Sequence, residues 1–227
     1  MKEPPTSSIH IELLNEDCVQ AMARYPDKYF DLACVDPPYG AGDTIFDLSR
    51  VVGNATSTFE QKKWNNTVPD KSYWEHLFRV SKNAIVWGGN YFVQHLPPSR
   101  GWIVWDKKYQ GMHSFASAEL AFTTFDRNAE MFSWRKPEAK IHPCQKPVKL
   151  YEWILANYAK PGQRILDTHL GSGSSAIAAY NMGFVFVGME LDADYYAAAV
   201  NRFEQHKSQL RLFGPDSPYT STSTEPK

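Results

Sequence analysis

The chain alternates short apolar segments with longer segments whose apolar residues recur at helical spacing. Each short segment has four to seven residues, too few for a typical helix, and is bounded by Gly, Pro or polar residues, which predicts buried strands. Seven strands are predicted, at Ile9–Leu14, Asp31–Asp36, Asn83–Trp87, Trp102–Trp105, Glu119–Phe125, Arg164–Asp167 and Phe184–Gly188.

Helices are predicted between these strands, where the apolar spacing changes to that of one helix face. Pro26 ends the first helix, Gly183 suits the C′ position of the fourth, and Asp192 suits the N-cap of the last. The second, third and fourth helices are predicted at Ser72–Val80, Leu150–Tyr158 and Ser174–Met182. This alternation predicts a doubly wound, mostly parallel α/β sheet of Rossmann-like architecture.

The chain is predicted to form one domain. Its 227 residues contain no break in composition that separates two domains, and the predicted elements fall within residues 9–213. Two polar segments, 41–71 and 126–141, are predicted to be loop insertions in that domain. The termini, residues 1–8 and 214–227, are rich in Pro, Ser and Thr without an apolar period, which predicts disorder.

Composition narrows the class of protein. The formal net charge is −1, so a surface that coats nucleic acid everywhere is not expected, although a local basic patch fits this total. No signal peptide or membrane-spanning apolar run is recognisable, which predicts a cytoplasmic protein. Cys18, Cys34 and Cys144 are odd in number and widely spaced, so neither a disulfide framework nor a metal site is expected.

A glycine turn follows the sixth predicted strand, in the segment "ILDTHLGSGSSAIAAYNMG". Gly171 and Gly173 would let backbone N–H groups approach a ligand at a helix N-terminus. Glu190 ends the next strand about twenty residues on, where an acid suits ribose hydroxyls. Ala176 replaces the third glycine of the dinucleotide motif, so a nucleoside without a pyrophosphate fits better than NAD or ATP. The alternative is a tight turn that binds nothing.

The stretch "DLACVDPPYG" places an acid, two prolines and an aromatic ring at the end of a buried strand. Ligands of open α/β sheets bind at the carboxyl ends of strands. There Asp36 would supply acceptor oxygens and Tyr39 a flat ring, while Pro37 and Pro38 would fix the backbone and free a carbonyl. These groups suit a planar ligand with an exocyclic amine. The alternative is a Pro-Pro strand terminator beside a solvated carboxylate.

Three motifs in this order resemble the DNA amino-methyltransferases. They are "DPPY", "HPCQKP" and "ILDTHLGSGS" with its following "GMELDADYYAAAVNRF", and the likeness spans Ile9 to Phe203. The order is that of the circularly permuted group whose catalytic tetrapeptide precedes the cofactor motif. The resemblance implies a sheet order of 3-2-1-4-5-7-6, S-adenosyl-L-methionine as cofactor, and methyl transfer to adenine N6 or cytosine N4.

By this resemblance, the catalytic residues are Asp36, Pro37, Pro38 and Tyr39. The Asp36 carboxylate and the Pro37 carbonyl would accept both amine protons, so that the nitrogen lone pair is free to attack the donor methyl group. Tyr39 would stack on a base flipped out of the duplex. The resemblance also implies eight cofactor-binding residues: Asp17, Cys18, Lys146, Asp167, Gly171, Gly173, Ser174 and Glu190.

Some positions leave the cofactor site open to interpretation. The resemblance places Lys146 near the methionine carboxylate, and an ordinary solvated lysine is the alternative. Thr168 and His169 stand where the family commonly has Pro-Phe, and Cys144 stands where threonine is usual. His169 is expected to be a hydrogen-bonded structural residue, and Cys144 a small packed residue instead of a nucleophile.

The family usually inserts a sizeable target-recognition region where this chain has only residues 126–141. Contact with double-stranded DNA is therefore assigned to basic, aromatic and amide side chains of that insert and of the 41–71 loop. They are Lys62, Lys63, Trp64, Asn65, Arg127, Trp134, Arg135, Lys136 and Lys140. A homodimer that reads DNA through the loop is expected. A solvated surface with packed tryptophans is the alternative.

The predicted function is an adenine-N6 DNA methyltransferase of the kind found in phages, prophages and restriction-modification systems. Adenine is preferred because the tetrapeptide begins with Asp36, whereas cytosine-N4 members of the family more often begin with Ser. Cytosine N4 is the alternative within this class. A non-catalytic nucleic-acid-binding subunit that keeps the fold is the alternative from a different class.

Overall fold

The computed structural model describes residues 9–40, 68–108, 116–134 and 144–213, with the backbone alone for 210–213. Its strands are β1 Ile11–Leu14, β2 Phe30–Val35, β3 Ser81–Trp87, β4 Trp102–Asp106, β5 Ala118–Thr123, β6 Glu130–Ser133, β7 Arg164–Asp167 and β8 Val185–Met189. They form one sheet in the order β1-β8-β7-β2-β3-β5-β4-β6.

The strand order agrees with the order that the family resemblance implies. The seven predicted strands are all present and lie across the sheet in the expected sequence, with β7, β2 and β3 adjacent in its middle. The strands run parallel except β5, which pairs antiparallel with β3 and β4. The mostly parallel α/β fold is thereby confirmed, whereas the circular permutation and the single-domain boundaries stay predictions.

One strand corrects the seven-stranded prediction. β6 lies within residues 126–141, where the sequence predicts a loop, and it pairs in parallel with β4 at the edge of the sheet. Its four residues alternate between half-buried and exposed, and Met131 is 65% exposed. A short edge strand with this pattern lacks the continuous apolar run that marks the buried strands.

The described ranges contain five helices, four of them between strands and one after the last strand. They are α1 Cys18–Ala23, α2 Lys71–Val80, α3 Val148–Tyr158, α4 Ser174–Asn181 and α5 Ala193–Phe213, with a 3₁₀ turn at Gly89–Tyr91. Carboxylates of Asp17, Asp70 and Asp192 accept backbone N–H groups in the first turns of α1, α2 and α5, which is how acidic N-caps fix a helix start. Among the described residues, no helix is long and apolar enough to span a bilayer.

The core has two layers, one on each face of the sheet. Side chains alternate along the strands: Leu32 and Cys34 of β2 pack against α3, α4 and α5, whereas Ala33 and Val35 pack against α1 and α2. Both faces are covered, so the strands can be apolar throughout. The helices therefore bury the sheet and leave its edges and ends for chemistry.

The parallel strands end at one edge of the sheet. β1, β8, β7, β2 and β3 are aligned in parallel, so the segments that follow their last residues lie side by side. Asp36 follows β2, Gly88 follows β3, and Thr168 follows β7. Because β5 runs the other way, its beginning lies at this same edge, and Glu119 pairs with Trp105 there. The fold thus collects residues from distant motifs in one place.

Shortening Leu77 to alanine is expected to lower the free energy of unfolding by about 2–5 kcal/mol, because a fully buried leucine leaves a cavity. Glu75 lies on the same helix with its side chain 64% exposed. Glu75→Ala is expected to cost less than about 0.5 kcal/mol. Urea unfolding followed by circular dichroism measures both variants. Equal losses would contradict the assignment of this helix face to the core.

Candidate active site

A cleft of about 580 Å³ opens at the carboxyl edge of the sheet. Its lining comes from the segments that follow β2, β7 and β8, from the start of α1, and from residues 144–146 before α3. Of the twelve predicted catalytic and cofactor residues, ten line this cleft. Asp167 and Gly173 lie next to it in the chain, on either side of the lining residues 168–172. The fold therefore brings together groups that the sequence spreads over 174 positions, from residue 17 to residue 190.

The turn between β7 and α4 depends on two glycines. φ is +52° at Gly171 and +72° at Gly173, in the left-handed region that residues with a β-carbon disfavour. Gly171 donates its N–H to Glu190 Oε2 at 2.9 Å, and the N–H of Asp192 donates to Oε1 at 3.0 Å. Each oxygen keeps a second lone pair. Glu190 is therefore held rigidly with acceptor capacity left for hydroxyl groups.

Ser174 begins α4 and fastens the turn to α5. Its hydroxyl lies 3.0 Å from that of Ser172 and accepts a hydrogen bond from Arg202 at 2.9 Å. Arg202 also donates to the Ser172 carbonyl at 2.8 Å. The Ser174 side chain thus contributes to the shape of the turn, and its predicted contact with a cofactor stays a prediction.

Asp167 is a buried carboxylate behind the turn. Ser175 donates its hydroxyl to Oδ2 at 2.6 Å, and the His169 N–H donates to Oδ1 at 3.0 Å. Burial nevertheless raises the pKa of Asp167 to about 7, against the opposing effect of these hydrogen bonds. Asp167 therefore titrates near neutral pH and supports the backbone of the turn from beneath.

Asp17 and Cys18 lie where α1 begins, beside Glu190. One oxygen of Asp17 accepts the Gln20 N–H at 2.9 Å, so this carboxylate caps the helix while it lines the cleft. Burial, reinforced by the charge of Asp17, raises the pKa of the Cys18 thiol to about 12. Cys18 is therefore a neutral thiol, which suits packing against a ring better than nucleophilic chemistry.

The predicted catalytic tetrapeptide forms another part of the lining, and both oxygens of its acid accept a hydrogen bond. Tyr39 donates its hydroxyl to Asp36 Oδ1 at 2.6 Å, and Lys146 binds Oδ2 through its ammonium group. The carboxyl group, only 15% exposed, is held by one donor on each oxygen. Burial and the neighbouring Asp36 charge raise the pKa of Tyr39 well above its usual range, so the phenol stays a donor.

Lys146 does not project into solvent as an ordinary surface lysine would. Its side chain is 3% exposed, and its ammonium group lies 3.2 Å from Glu119 Oε2 as well as against Asp36. Glu119 in turn pairs with Lys107 at 2.5 Å. Burial opposes ionisation, but the two carboxylates raise the pKa of Lys146 well above its usual value, so it stays cationic. The geometry thus connects Lys146 first to the predicted catalytic acid.

Thr168 and His169, where the sequence differs from the family pattern, belong to a second chain of polar contacts. The Tyr73 hydroxyl is 2.8 Å from Thr168 Oγ1, which is 2.9 Å from His169 Nδ1. Burial lowers the pKa of His169 to about 4, so the imidazole is neutral at neutral pH. Within the described part of the chain, no group of three His, Cys, Asp or Glu residues is arranged to hold a metal ion.

The predicted DNA-contacting residues are largely outside the described ranges: Lys62, Lys63, Trp64, Asn65, Arg135, Lys136 and Lys140. Arg127 lies at the opposite edge of the sheet from the cleft, where it binds Glu130 and the Asn157 carbonyl and covers the ring of Tyr158. Trp134 follows the carboxyl end of β6 and therefore lies at the cleft edge. Arg127 and Trp134 therefore lie at opposite edges of the sheet, and only Trp134 is near the cleft.

Sequence reasoning did not single out three residues that contact the site. Glu119 is recognisable only as the first residue of a predicted strand, and Tyr73 only as part of a helix. Tyr91 follows the Gly88-Gly89 pair that ends β3, and its ring stacks on Tyr39. An acid at the cleft end of a strand is a signal for Glu119. The other two depend on contacts between distant segments that local pattern does not specify.

Comparison with known proteins agrees with these motifs. A family model described as DNA methylase, which combines the N6 and N4 types, matches residues 100–201. The chain is similar to the putative methylase YubD of Escherichia coli K12, at 24% identity over 82% of this chain and 87% of that protein. It is also similar to the type II methyltransferase M2.DpnII of Streptococcus pneumoniae, at 24% identity over 90% and 93%. The resemblance to DNA amino-methyltransferases is confirmed.

A solved structure shows the same fold. The putative DNA modification methylase TTHA0409 of Thermus thermophilus, complexed with S-adenosyl-L-methionine, superposes with a TM-score of 0.56 at 17% identity. The match covers 87% of this chain and 96% of that protein. The likeness in fold therefore covers most of the chain.

Asp167→Asn is expected to change how stability depends on pH. The folded-state pKa of Asp167 is about 7, above its usual 3.8, so folding favours the protonated form, and this stabilisation is lost as pH rises from about 4 through 7. Asparagine does not ionise. From pH 5 to pH 8 the variant should therefore gain stability over the parent, by roughly 2 kcal/mol.

Urea unfolding at several pH values measures that difference. Asp31→Asn is the matched control, because hydrogen bonds from Lys82 and the Arg164 N–H lower the pKa of Asp31 in spite of its partial burial. The stabilisation by Asp31 is lost only below about pH 4. Its difference from the parent should be constant between pH 5 and pH 8. A constant difference for Asp167→Asn as well would contradict the raised pKa.

Proposed function

We propose that this chain, which matches the DNA methylase family, transfers a methyl group from S-adenosyl-L-methionine to an exocyclic amine in DNA, and that the acceptor is adenine N6. The strongest support is the position of Asp36, Pro37 and Tyr39 in the same cleft as Glu190 and the Gly171 turn. An acceptor for amine protons and an acceptor for ribose hydroxyls then face one shared cavity.

The cleft suits this cofactor in size and in its donors and acceptors. Its volume of about 580 Å³ is in the range of pockets that enclose a nucleoside-sized ligand. Glu190 keeps lone pairs for the ribose hydroxyls, and Leu191, 70% exposed beside it, offers an apolar surface to a purine ring. Bound there, the cofactor would supply an electrophilic methyl group on a sulfonium. The proposal keeps Asp17, Cys18 and Ser174 as cofactor-binding residues because they line the cleft. It also keeps Asp167 and Gly173, which flank the lining residues 168–172 in the chain.

Asp36 would act on the acceptor nitrogen. The lone pair of an exocyclic amine is delocalised into the base, so the amine is a poor nucleophile. Hydrogen bonds from its two protons to Asp36 and to the Pro37 carbonyl favour a pyramidal nitrogen whose lone pair is available. The amine nitrogen would form a bond to the methyl carbon as the sulfur–carbon bond breaks, sulfur would keep the electron pair as a neutral thioether, and one amine proton would be released to solvent. The adjacent carboxylate stabilises the positive charge on nitrogen in the transition state.

Lys146 would keep that carboxylate ready. By binding Oδ2 it fixes the plane of the Asp36 carboxyl group, so that the carboxyl oxygens stay in position to accept hydrogen bonds. This role differs from a contact with the methionine carboxylate, although Lys146 lines the cleft and a single ammonium has three N–H donors. We therefore assign Lys146 to the orientation of Asp36 and keep cofactor contact as its secondary role.

The base would reach this cleft by leaving the duplex, since the acceptor atoms inside a DNA helix are out of reach. Double-stranded DNA is thus the proposed substrate, and Trp134 lies at the cleft edge where DNA would approach. A homodimer that shares recognition between subunits remains part of the proposal. Adenine is preferred to cytosine because of the acid at position 36, and N4 methylation of cytosine is the competing outcome.

The first experiment identifies the product. The protein is incubated with labelled S-adenosyl-L-methionine and unmethylated DNA, which is then digested to nucleosides and separated by mass. We expect N6-methyldeoxyadenosine. N4-methyldeoxycytidine would establish the competing acceptor, and binding of cofactor and DNA without any methylated nucleoside would favour a non-catalytic subunit.

Asp36→Ala is expected to lower the rate of methyl transfer at least about 100-fold, because the amine loses a preorganised acceptor. Cofactor affinity should stay within a few-fold of the parent, since Asp36 is assigned to the base. Asp126→Ala is the control: that side chain is 88% exposed and lies after β5, at the edge away from the cleft. Methyl transfer by the Asp36 variant at the parent rate would refute the mechanism. Calorimetric titration with the cofactor measures the cofactor affinity of each variant.

A further inference from the structure

The ring of Tyr91 lies parallel to the ring of Tyr39. Their centroids are 4.9 Å apart and the planes differ by 18°, a stacked arrangement, while Phe92 meets Tyr39 edge-on at 6.0 Å. Tyr91 is nonetheless 49% exposed. An exposed aromatic ring that stacks on the tyrosine of the proposed catalytic tetrapeptide has no role in the core.

The backbone that carries Tyr91 is fixed. Gly88 adopts φ +66° and ψ +22°, its N–H donates to the Leu120 carbonyl at 2.9 Å, and its own carbonyl accepts the Tyr91 N–H at 2.8 Å. The next residue, Phe92, is fully buried. The position of the Tyr91 ring is therefore set by a tight turn anchored on both sides.

The same turn contacts Tyr39 directly. A β-carbon at Gly88 would lie 2.2 Å from Cε1 of the Tyr39 ring, so only glycine allows the ring to lie there. Two consecutive features of the segment after β3, a missing side chain at Gly88 and an aromatic ring at Tyr91, thus define where the Tyr39 ring can be. The parallel pairing of β2 with β3 holds both segments in register.

The turn that carries Tyr91 is not part of the cleft surface. Tyr39 belongs to the lining of the cleft, together with Asp36, Pro37 and Pro38, whereas Gly88, Tyr91 and Phe92 do not. Tyr91 therefore does not occupy the space that a ligand in the cleft would take. It supports the Tyr39 ring from outside the cavity.

We propose that Tyr91 is a positioning residue for base capture, which completes a stack in the order Tyr91, Tyr39, flipped base. This inference rests on the proposed function. The Tyr39 hydroxyl donates to Asp36 at 2.6 Å, so a tilt of the ring would also disturb the acceptor of the amine protons. Tyr91 thereby acts on stacking and on the carboxylate through the same ring.

Variants at position 91 separate ring, bulk and hydroxyl. Tyr91→Leu and Tyr91→Ala remove the stacking partner, and Tyr91→Phe keeps it. Val93→Ala is the matched control, since Val93 is 64% exposed two residues away. The loss of one aromatic stack should lower kcat/KM for DNA roughly three- to tenfold, with the cofactor Kd unchanged. Tyr91→Phe and Val93→Ala should match the parent.

The capture step is read from a duplex that carries 2-aminopurine at the methylated position found in the product assay, because its fluorescence rises when the base leaves the stack. The Leu and Ala variants should give a smaller rise at equal DNA occupancy. An unchanged rise with unchanged kcat/KM would overturn the proposal. A larger rise with tighter DNA binding would overturn it too, since Tyr91 would then occupy the position of the base.

The parent enzyme distinguishes the two levels of inference. If the parent protein transfers no methyl group to any DNA, the proposed function fails, and the role of Tyr91, which rests on it, fails with it. If the parent is active and the Leu and Ala variants equal it, the role of Tyr91 alone fails. Unfolding midpoints of all four variants establish that each is folded under assay conditions.

Discussion

The buried ion pair between Lys146 and Asp36 connects the two motifs on which the site depends. The residues are 110 positions apart in the chain, and Lys146 is almost fully enclosed. A buried ammonium is costly unless it is paired, and here it is paired twice, with Asp36 and with Glu119. Removing one partner would leave a charge uncompensated. The segment before α3 therefore holds the tetrapeptide after β2 in one position. The shape of the cleft between these two segments depends on that contact.

The rest of the site follows from parallel strand alignment. β7 lies between β2 and β8, so the glycine turn after β7 is flanked by Asp36 on one side and Glu190 on the other. A bound nucleoside cofactor that contacts Glu190 would then extend toward the tetrapeptide across the turn. Two hydrogen bonds from backbone N–H groups fix Glu190, and contacts with Arg202 of α5 fix the turn itself. Such preorganisation is what methyl transfer requires, since the reacting atoms have to be aligned before the reaction begins.

Sequence sufficed where chemistry and local pattern coincide. Strands such as Asp31–Asp36 are apolar runs with sharp ends, and the Asp-Pro-Pro-Tyr and Gly-Ser-Gly segments are recognisable without a fold, so the sheet and ten of the residues that line the cleft could be predicted. β6 could not, because an edge strand need not be apolar. The partners of Lys146 could not be predicted either. The sequence left open whether this lysine faces solvent or a ligand, and the answer depends on which carboxylates the sheet places beside it. Glu119 is one of them only because β5 runs antiparallel and begins at the cleft edge. The stacking of Tyr91 on Tyr39 likewise arises from two turns that no local signal relates.

The charges around the cleft sort the two substrates of the proposed reaction. Among the described residues, its lining contains five acids, Glu16, Asp17, Asp36, Glu190 and Asp192, against the single ammonium of Lys146, while His169 is neutral because burial lowers its pKa. A negative, partly enclosed cavity attracts a cationic sulfonium and repels phosphate. DNA phosphates would accordingly stay outside the cleft, and only an uncharged base would enter it. A flipped base would meet that electrostatic requirement as well as the steric one, because once it is out of the stack the base alone extends into the cleft, with the sugar between it and the phosphates. On this proposal, a net charge of −1 does not prevent action on a polyanion, because five of the acidic groups line a cleft that the DNA phosphates would not enter.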